Sequence, residues 1–120
     1  MADSKNILVV DDEGEIRELF EAYLTKKGHR VVLAKDGLEA IKKAEEEKFD
    51  FIFLDIKMSG LDGVETFKRI KNNKPDCCVI IMTGYRTMAD ELITDALKKQ
   101  IHSVLYKPFR MKDVLEIVSK

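Results

Sequence analysis

The sequence feature that most constrains the fold is a run of apolar residues that ends abruptly in a carboxylate. Residues 51–54 (FIFL) show no polar alternation, and Asp55 follows them directly. A strand buried on both faces has this pattern, as the inner strands of a parallel sheet do. Residues 7–10 (ILVV) repeat the pattern before Asp11 and Asp12. Ligands of open α/β sheets bind beyond the carboxyl ends of the strands, so we expect these carboxylates to form one site.

Strand and helix patterns alternate along the whole chain. Apolar runs predict five strands, at residues 6–10, 31–34, 51–55, 79–82 and 103–106. Apolar residues at helical spacing predict a helix after each strand. The residues predicted to face inward are Ile16, Leu19, Phe20, Tyr23 and Leu24, then Leu38, Ile41 and Ala44, then Val64, Phe67 and Ile70, then Met88, Leu92, Ala96 and Leu97, and finally Met111, Val114, Leu115 and Val118. Asp36 suits the cap of the second helix, and Gly28 suits the end of the first.

Strict alternation of strands and helices predicts the α/β class. We expect one domain over residues 1–120, a (βα)5 doubly wound parallel sheet with right-handed crossovers and helices on both faces. The last helical pattern reaches Lys120, so we expect no output domain.

Composition and charge narrow the class of protein. The chain is 45% hydrophobic and 36% charged, which is typical of a folded globular domain. Its net charge of −1 provides no overall attraction to nucleic acid or membrane. No apolar run approaches the roughly 20 residues that span a bilayer, and the N-terminus lacks a signal-peptide core. We expect the adjacent cysteines at 77 and 78 to be reduced. Together these features predict a cytoplasmic protein without direct nucleic-acid or membrane partners.

The strand ends carry a set of side chains suited to phosphoryl chemistry: Asp11, Asp12, Asp55, Thr83 and Lys107. Two carboxylates about 4 Å apart repel by about 4 kcal/mol at an effective dielectric of about 20. A hard divalent ion such as Mg²⁺ would relieve this repulsion. The lysine and the hydroxyl suit a phosphoryl group, and an aspartate can act as the nucleophile. Each residue alone is also explained as a helix cap, turn or surface residue, and their shared position at strand ends favours the site.

Four motifs, in order and at their strand ends, resemble those of one family. They are residues 8–13 (LVVDDE), 53–58 (FLDIKM) with 61–63 (LDG), 80–84 (IIMTG) and 106–109 (YKPF). On these residues the chain resembles, from end to end, the receiver domain of two-component response regulators, the CheY-like superfamily. The resemblance implies a flavodoxin-like sheet with strand order 2-1-3-4-5.

The resemblance also implies a role for each carboxylate. Asp55 would be the phosphoacceptor, taking a phosphoryl group from a phosphohistidine of a sensor histidine kinase or phosphotransfer protein. Mg²⁺ would be bound directly by Asp12 and Asp55, through water by Asp11, and by the backbone carbonyl of Lys57.

The remaining implied roles concern the response to phosphorylation. Lys107 would pair with the phosphoryl group, and Thr83 would move to hydrogen-bond it and signal to a downstream output protein or domain. Val104 stands where many members of the family have an aromatic switch residue, and Tyr106 is predicted to share its strand face. The domain would promote its own phosphorylation and dephosphorylation without being an enzyme that acts on other molecules.

Two other classes of protein remain as alternatives. A Mg²⁺-dependent phosphohydrolase also uses an aspartate nucleophile, but Lys57 occupies the position where a general-acid aspartate would be expected. A flavodoxin-like cofactor binder would need a glycine-rich phosphate loop after the first strand, where Asp11 and Asp12 stand instead. Within the signalling class, the chain could be a free-standing regulator, a relay intermediate or a fragment of a transcription factor.

Overall fold

The secondary structure follows the predicted alternation. The computed structural model describes residues 4–56, 63–84 and 99–119. Its strands are β1 (Asn6–Val10), β2 (Arg30–Ala34), β3 (Phe51–Asp55), β4 (Cys78–Thr83) and β5 (Ser103–Tyr106). The helices among the described residues are α1 (Gly14–Lys26), α2 (Gly37–Glu46), α3 (Gly63–Asn73) and α4 (Met111–Val118). The predicted helix around Met88 to Leu97 lies outside the described residues.

All five strands are parallel and form one sheet with the order β2-β1-β3-β4-β5. The predicted α/β class and strand order are therefore confirmed. The register pairs Val10 of β1 with Ala34 on one side and with Leu54 on the other. This pairing brings the carboxyl ends of the central strands into line at one edge of the sheet.

The sheet is buried on both faces, which explains the unbroken apolar runs. Along β1, Leu8 and Val10 belong to the core that α2 and α3 cover, whereas Ile7 and Val9 belong to the core beneath α1 and α4. Residues 52 and 54 of β3 join the first core, and residues 51 and 53 join the second. Successive strand residues point to opposite faces, so a strand with two covered faces must be apolar at every position.

Two local predictions about helix ends are confirmed. The side chain of Asp36 accepts a hydrogen bond from the backbone N–H of Glu39 at 2.9 Å and caps α2. Gly28 ends the turn after α1 with a φ of 92°, a value that side chains other than glycine's rarely allow. The N–H groups of Gly28 and His29 then bond back to carbonyls of the last turn, those of Thr25 and Leu24.

Three predicted inward-facing residues face solvent more than expected. Leu38 is 65% exposed, so its assignment to the core was wrong. The buried residues of α2 include Ala40 and Ala44, and two residues along a helix correspond to a rotation of roughly 200°, which places Leu38 on the opposite side. On α1, Leu19 and Tyr23 are 46% and 41% exposed, while Phe20 and Leu24 beside them are fully buried.

The two cysteines lie on opposite sides of the sheet, as predicted. Cys77 packs against the core beneath α2 and α3, Cys78 packs against the other core, and both are free thiols. Burial raises the pKa of Cys77, an effect that the positive charge of Lys71 partly opposes. Among the described residues, none of the helices has the length and hydrophobicity that crossing a membrane would require.

We predict that Phe20 is a principal stabilising residue of the α1 face. Its ring packs edge-to-face on Phe53 at 5.2 Å and on Phe109 at 5.8 Å between centroids. Phe20→Ala should lower the free energy of unfolding by about 3–5 kcal/mol, and Phe20→Leu by less than about 1.5 kcal/mol. Leu19→Ala, on the half-exposed neighbour, is the matched control and should cost about 1 kcal/mol or less. Urea denaturation measures all three, and equal losses for Phe20→Ala and Leu19→Ala would contradict the packing described.

Candidate functional site

Three carboxylates meet at the carboxyl edge of the sheet. Asp11 and Asp12 follow β1, and Asp55 is the last residue of β3. One carboxylate oxygen from each lies within 4.8 Å of the others. Asp11 is completely buried and Asp55 nearly so, whereas Asp12 is exposed. Close, hard oxygen donors of this kind form a cluster that can hold a divalent metal ion.

Lys107 directly follows the edge strand β5, and its ammonium lies among these carboxylates. Its Nζ lies 2.9 Å from Oδ2 of Asp11, 3.5 Å from Oδ2 of Asp55 and 3.6 Å from Oε1 of Glu13. Its backbone N–H donates to the carbonyl oxygen of Thr83 at 2.7 Å, which fixes the chain just beyond β5 to the end of β4. Side chains from three chain segments therefore meet at the Lys107 ammonium: the loop after β1, the end of β3 and the loop after β5.

The surroundings of Lys107 favour its charged form. Burial alone would lower the pKa of this ammonium, since removal from water disfavours charge. The hydrogen bond to Asp11 and the negative charges of Asp55, Asp11 and Glu13 outweigh that effect and raise the pKa above its usual value. The lysine is therefore a permanent cation at this edge of the sheet under physiological conditions.

The loop that carries Asp11 is held by contacts that the sequence did not reveal. The backbone N–H of Glu13 donates to Oδ1 of Asp11 at 2.9 Å, and Arg17 donates from Nη1 to the carbonyl oxygen of Asp11 at 2.7 Å. In the sequence, Glu13 stands out only as the last residue of the motif at 8–13, and Arg17 lies within the predicted first helix. The signal available in the sequence was that Glu13 directly follows the acidic pair and that Arg17 lies in the first turns of the helix beyond it. Spacing alone does not show that these groups turn back toward Asp11.

Gly63 positions the backbone next to Asp55. It is the first residue of α3, and its N–H donates to the carbonyl oxygen of Ile56 at 3.1 Å. A Cβ at Gly63 would lie 2.3 Å from the Cα of Ile56, which is too close for any side chain. Ile56 in turn donates its N–H to the carbonyl of Met82. The glycine thus permits a close backbone approach beside the site.

Thr83 and the residues of β5 lie on two neighbouring strands, β4 and β5, which pair with each other. Thr83 is fully buried at the end of β4, and it pairs in register with Tyr106. Val104 and Tyr106 are both partly buried against the core beneath α2 and α3, so they share a strand face as predicted. Lys57, predicted to offer a backbone carbonyl, lies outside the described residues.

The fold and this constellation define a class of protein, and comparison with known families agrees. A family model described as the response regulator receiver domain matches residues 7–119. The chain belongs to this family, and it is a receiver domain of two-component response regulators, a signalling domain.

Known relatives include both short and long proteins. The chain is 32% identical to sporulation initiation phosphotransferase F of Bacillus subtilis over 117 residues, covering 98% of this chain and 93% of that protein. It is 41% identical to the transcriptional regulatory protein ZraR of Klebsiella oxytoca over 103 residues, covering 86% of this chain but only 23% of that protein. The chain thus spans less than a quarter of the length of that relative.

Solved structures of other response regulators share this fold, and one of them is a complex with a metal ion. The response regulator TrrA of Thermotoga maritima, in complex with Mg²⁺–BeF, superposes with a TM-score of 0.83 at 34% identity, covering 96% of each chain. A CheY-like receiver domain protein of Methanospirillum hungatei superposes with a TM-score of 0.87 at 28% identity, covering 97% of this chain and 91% of the other.

We predict that Gly63→Ala destabilises the protein although alanine is the better helix former. The new methyl group would collide with the backbone of Ile56, and overpacking of this kind costs about 1–3 kcal/mol. Gly14→Ala is the matched control, because Gly14 is also the first residue of a helix and its Cβ would meet only the flexible end of Arg17, at 3.6 Å. Thermal or urea denaturation should show loss at Gly63 and no loss at Gly14; equal behaviour of the two variants would contradict the close approach.

We also predict that Lys107 stabilises the carboxylate cluster in the absence of divalent cations. Lys107→Met leaves Asp11 buried without its partner and should lower the free energy of unfolding by about 2 kcal/mol, less than for a fully buried pair because solvent reaches the ammonium. In the Lys107→Met background, Asp11→Asn should restore part of the loss, a coupling of more than about 0.5 kcal/mol. Urea denaturation in a chelating buffer measures this cycle, and simple additivity of the two changes would refute the coupling.

Proposed function

We propose that this receiver domain accepts a phosphoryl group on Asp55 in a Mg²⁺-dependent reaction. The observation that carries the proposal is the meeting of Asp11, Asp12 and Asp55 within 4.8 Å, with the Lys107 ammonium 3.5 Å from Asp55. A nucleophilic carboxylate, a metal-binding set and a fixed cation are the parts that phosphoryl transfer needs, because positioning and charge neutralisation supply most of its catalysis.

The donor set supports magnesium as the ion. Carboxylate oxygens are hard ligands, and Mg²⁺ commonly binds one or two carboxylates together with phosphate oxygens. Asp12 and Asp55 would hold the ion directly, Asp11 through water, and the backbone carbonyl of Lys57 would complete the protein ligands. Bound there, Mg²⁺ would neutralise the cluster and allow an anionic phosphoryl group to approach.

In the proposed reaction, a carboxylate oxygen of Asp55 forms a bond to phosphorus. The bond from phosphorus to the histidine nitrogen of the partner breaks, and its electron pair leaves with the imidazole, so that an acyl phosphate remains on Asp55. Lys107 keeps its proton and pairs with the phosphoryl oxygens, whose charge it balances. Thr83, at the end of the neighbouring strand, donates a hydrogen bond from its hydroxyl group to a phosphoryl oxygen.

The partners follow from the class. We propose that the donor is a sensor histidine kinase or a phosphotransfer protein, and that the phosphorylated domain acts on a downstream output protein or domain in the cytoplasm. The signal would arise when Thr83 engages the phosphoryl group and shifts the segment that follows it. We propose residues 1–120 as a single receiver domain without a nucleic-acid-binding or membrane-binding role of its own. The comparisons give no support to the phosphohydrolase alternative.

We predict that the purified protein gains one phosphoryl group when incubated with Mg²⁺ and a small phosphodonor. Intact-mass spectrometry should detect one phosphoryl adduct that is lost on brief alkaline treatment, as expected of an acyl phosphate. Chelation of Mg²⁺ should abolish it, since the carboxylates would again repel the incoming group. Asp55→Asn should also abolish it, whereas Asp76→Asn, a control on an exposed aspartate remote from the cluster, should leave it unchanged.

Two measurements distinguish the proposed function from the alternatives. A phosphoryl group that still appears on the Asp55→Asn variant would refute the assignment of the acceptor. Steady release of phosphate from a generic phosphate ester would point to the phosphohydrolase class instead.

A further inference from the structure

Glu13 brings a further negative charge to the ammonium that would receive the phosphoryl group. Its Oε1 lies 3.6 Å from Nζ of Lys107, so three carboxylates lie within 3.6 Å of one cation. Unlike Asp11, which is fully buried, the Glu13 side chain is 61% exposed. The carboxylate therefore lies on the solvent-exposed side of Lys107.

The Glu13 side chain pairs with Lys107 and does not cap the helix that it precedes. Glu13 is the N-cap residue of α1, but its side chain makes no capping hydrogen bond to the described part of the helix. The contact that fixes Asp11 comes from the backbone N–H of Glu13, which any other residue except proline would also provide. Changing the side chain to glutamine therefore removes the ion pair between Glu13 and Lys107 but keeps the backbone support of Asp11 and the closer ion pair between Lys107 and Asp11.

We propose that Glu13 is a specificity-determining residue that selects phosphodonors by charge. The inference rests on the proposed function, because it concerns access of a donor to Asp55. Glu13 competes with the phosphoryl group for Lys107, and its charge repels donors that carry two negative charges more strongly than donors that carry one. Small dianionic phosphates are disfavoured in this way, and less negative donors are favoured.

The physical signature of such a role is its dependence on donor charge and on salt. The electrostatic energy between Glu13 and a donor is proportional to the donor's charge, so the gain in rate on removing Glu13 should be squared when the donor charge doubles. Because Glu13 is exposed, the effect should also weaken as ionic strength rises and the Debye length falls. A purely structural role would show neither dependence.

The test compares Glu13→Gln with the unchanged protein at saturating Mg²⁺, so that metal occupancy does not differ. Acetyl phosphate is doubly charged at neutral pH, and phosphoramidate is predominantly singly charged. The initial rate of adduct formation, followed by mass spectrometry, should rise about fourfold with acetyl phosphate and about twofold with phosphoramidate at low salt. Both gains should shrink toward unity in high salt. Glu15→Gln, which removes an equal charge from the exposed first turn of α1, is the matched control and should change neither rate.

Each outcome decides the proposal. Equal rates for Glu13→Gln and the unchanged protein, equal gains with both donors, or the same gain from Glu15→Gln would overturn the role of Glu13 while leaving phosphorylation of Asp55 intact. Failure of the unchanged protein to take a phosphoryl group from either donor would overturn the proposed function, and this inference with it.

Discussion

The Lys107 ammonium lies between two buried carboxylates, and the architecture around it is what makes this arrangement possible. Asp11 and Asp55 come from adjacent central strands, while Lys107 follows the edge strand on the far side of β4. The lysine reaches them because its own backbone is bonded to the end of β4. Buried negative charges are costly without a partner, so the burial of Asp11 depends on this contact.

The parallel sheet supplies the geometry that this contact requires. Every strand runs in the same direction, so every strand ends at the same edge. The two cores hold the strands from both sides, and the apolar runs keep each strand in its register. The charged residues are thereby confined to the points where the apolar runs stop, and groups far apart in the chain become neighbours.

The elements that could be predicted from the sequence are those whose cause is local or periodic. Strands that are buried on both faces appear in the sequence as unbroken apolar runs. Asp36 caps the start of α2, and Gly28 forms the turn that ends α1, so both act on neighbours in the chain. Leu38 was misassigned because a short apolar stripe fits more than one side of a helix, and only packing decides which side is covered. The contacts of Glu13 and Gly63 could not be predicted, because they depend on how closely separate segments approach each other in space.

Asp11 and Asp12 differ by a single step along the chain, yet one is sealed in the interior and the other is open to water. The sealed member anchors the cluster to Lys107, while the open member keeps one carboxylate of the cluster in contact with water. The proposed metal ion would therefore reach its ligands from solvent without rupture of the sheet.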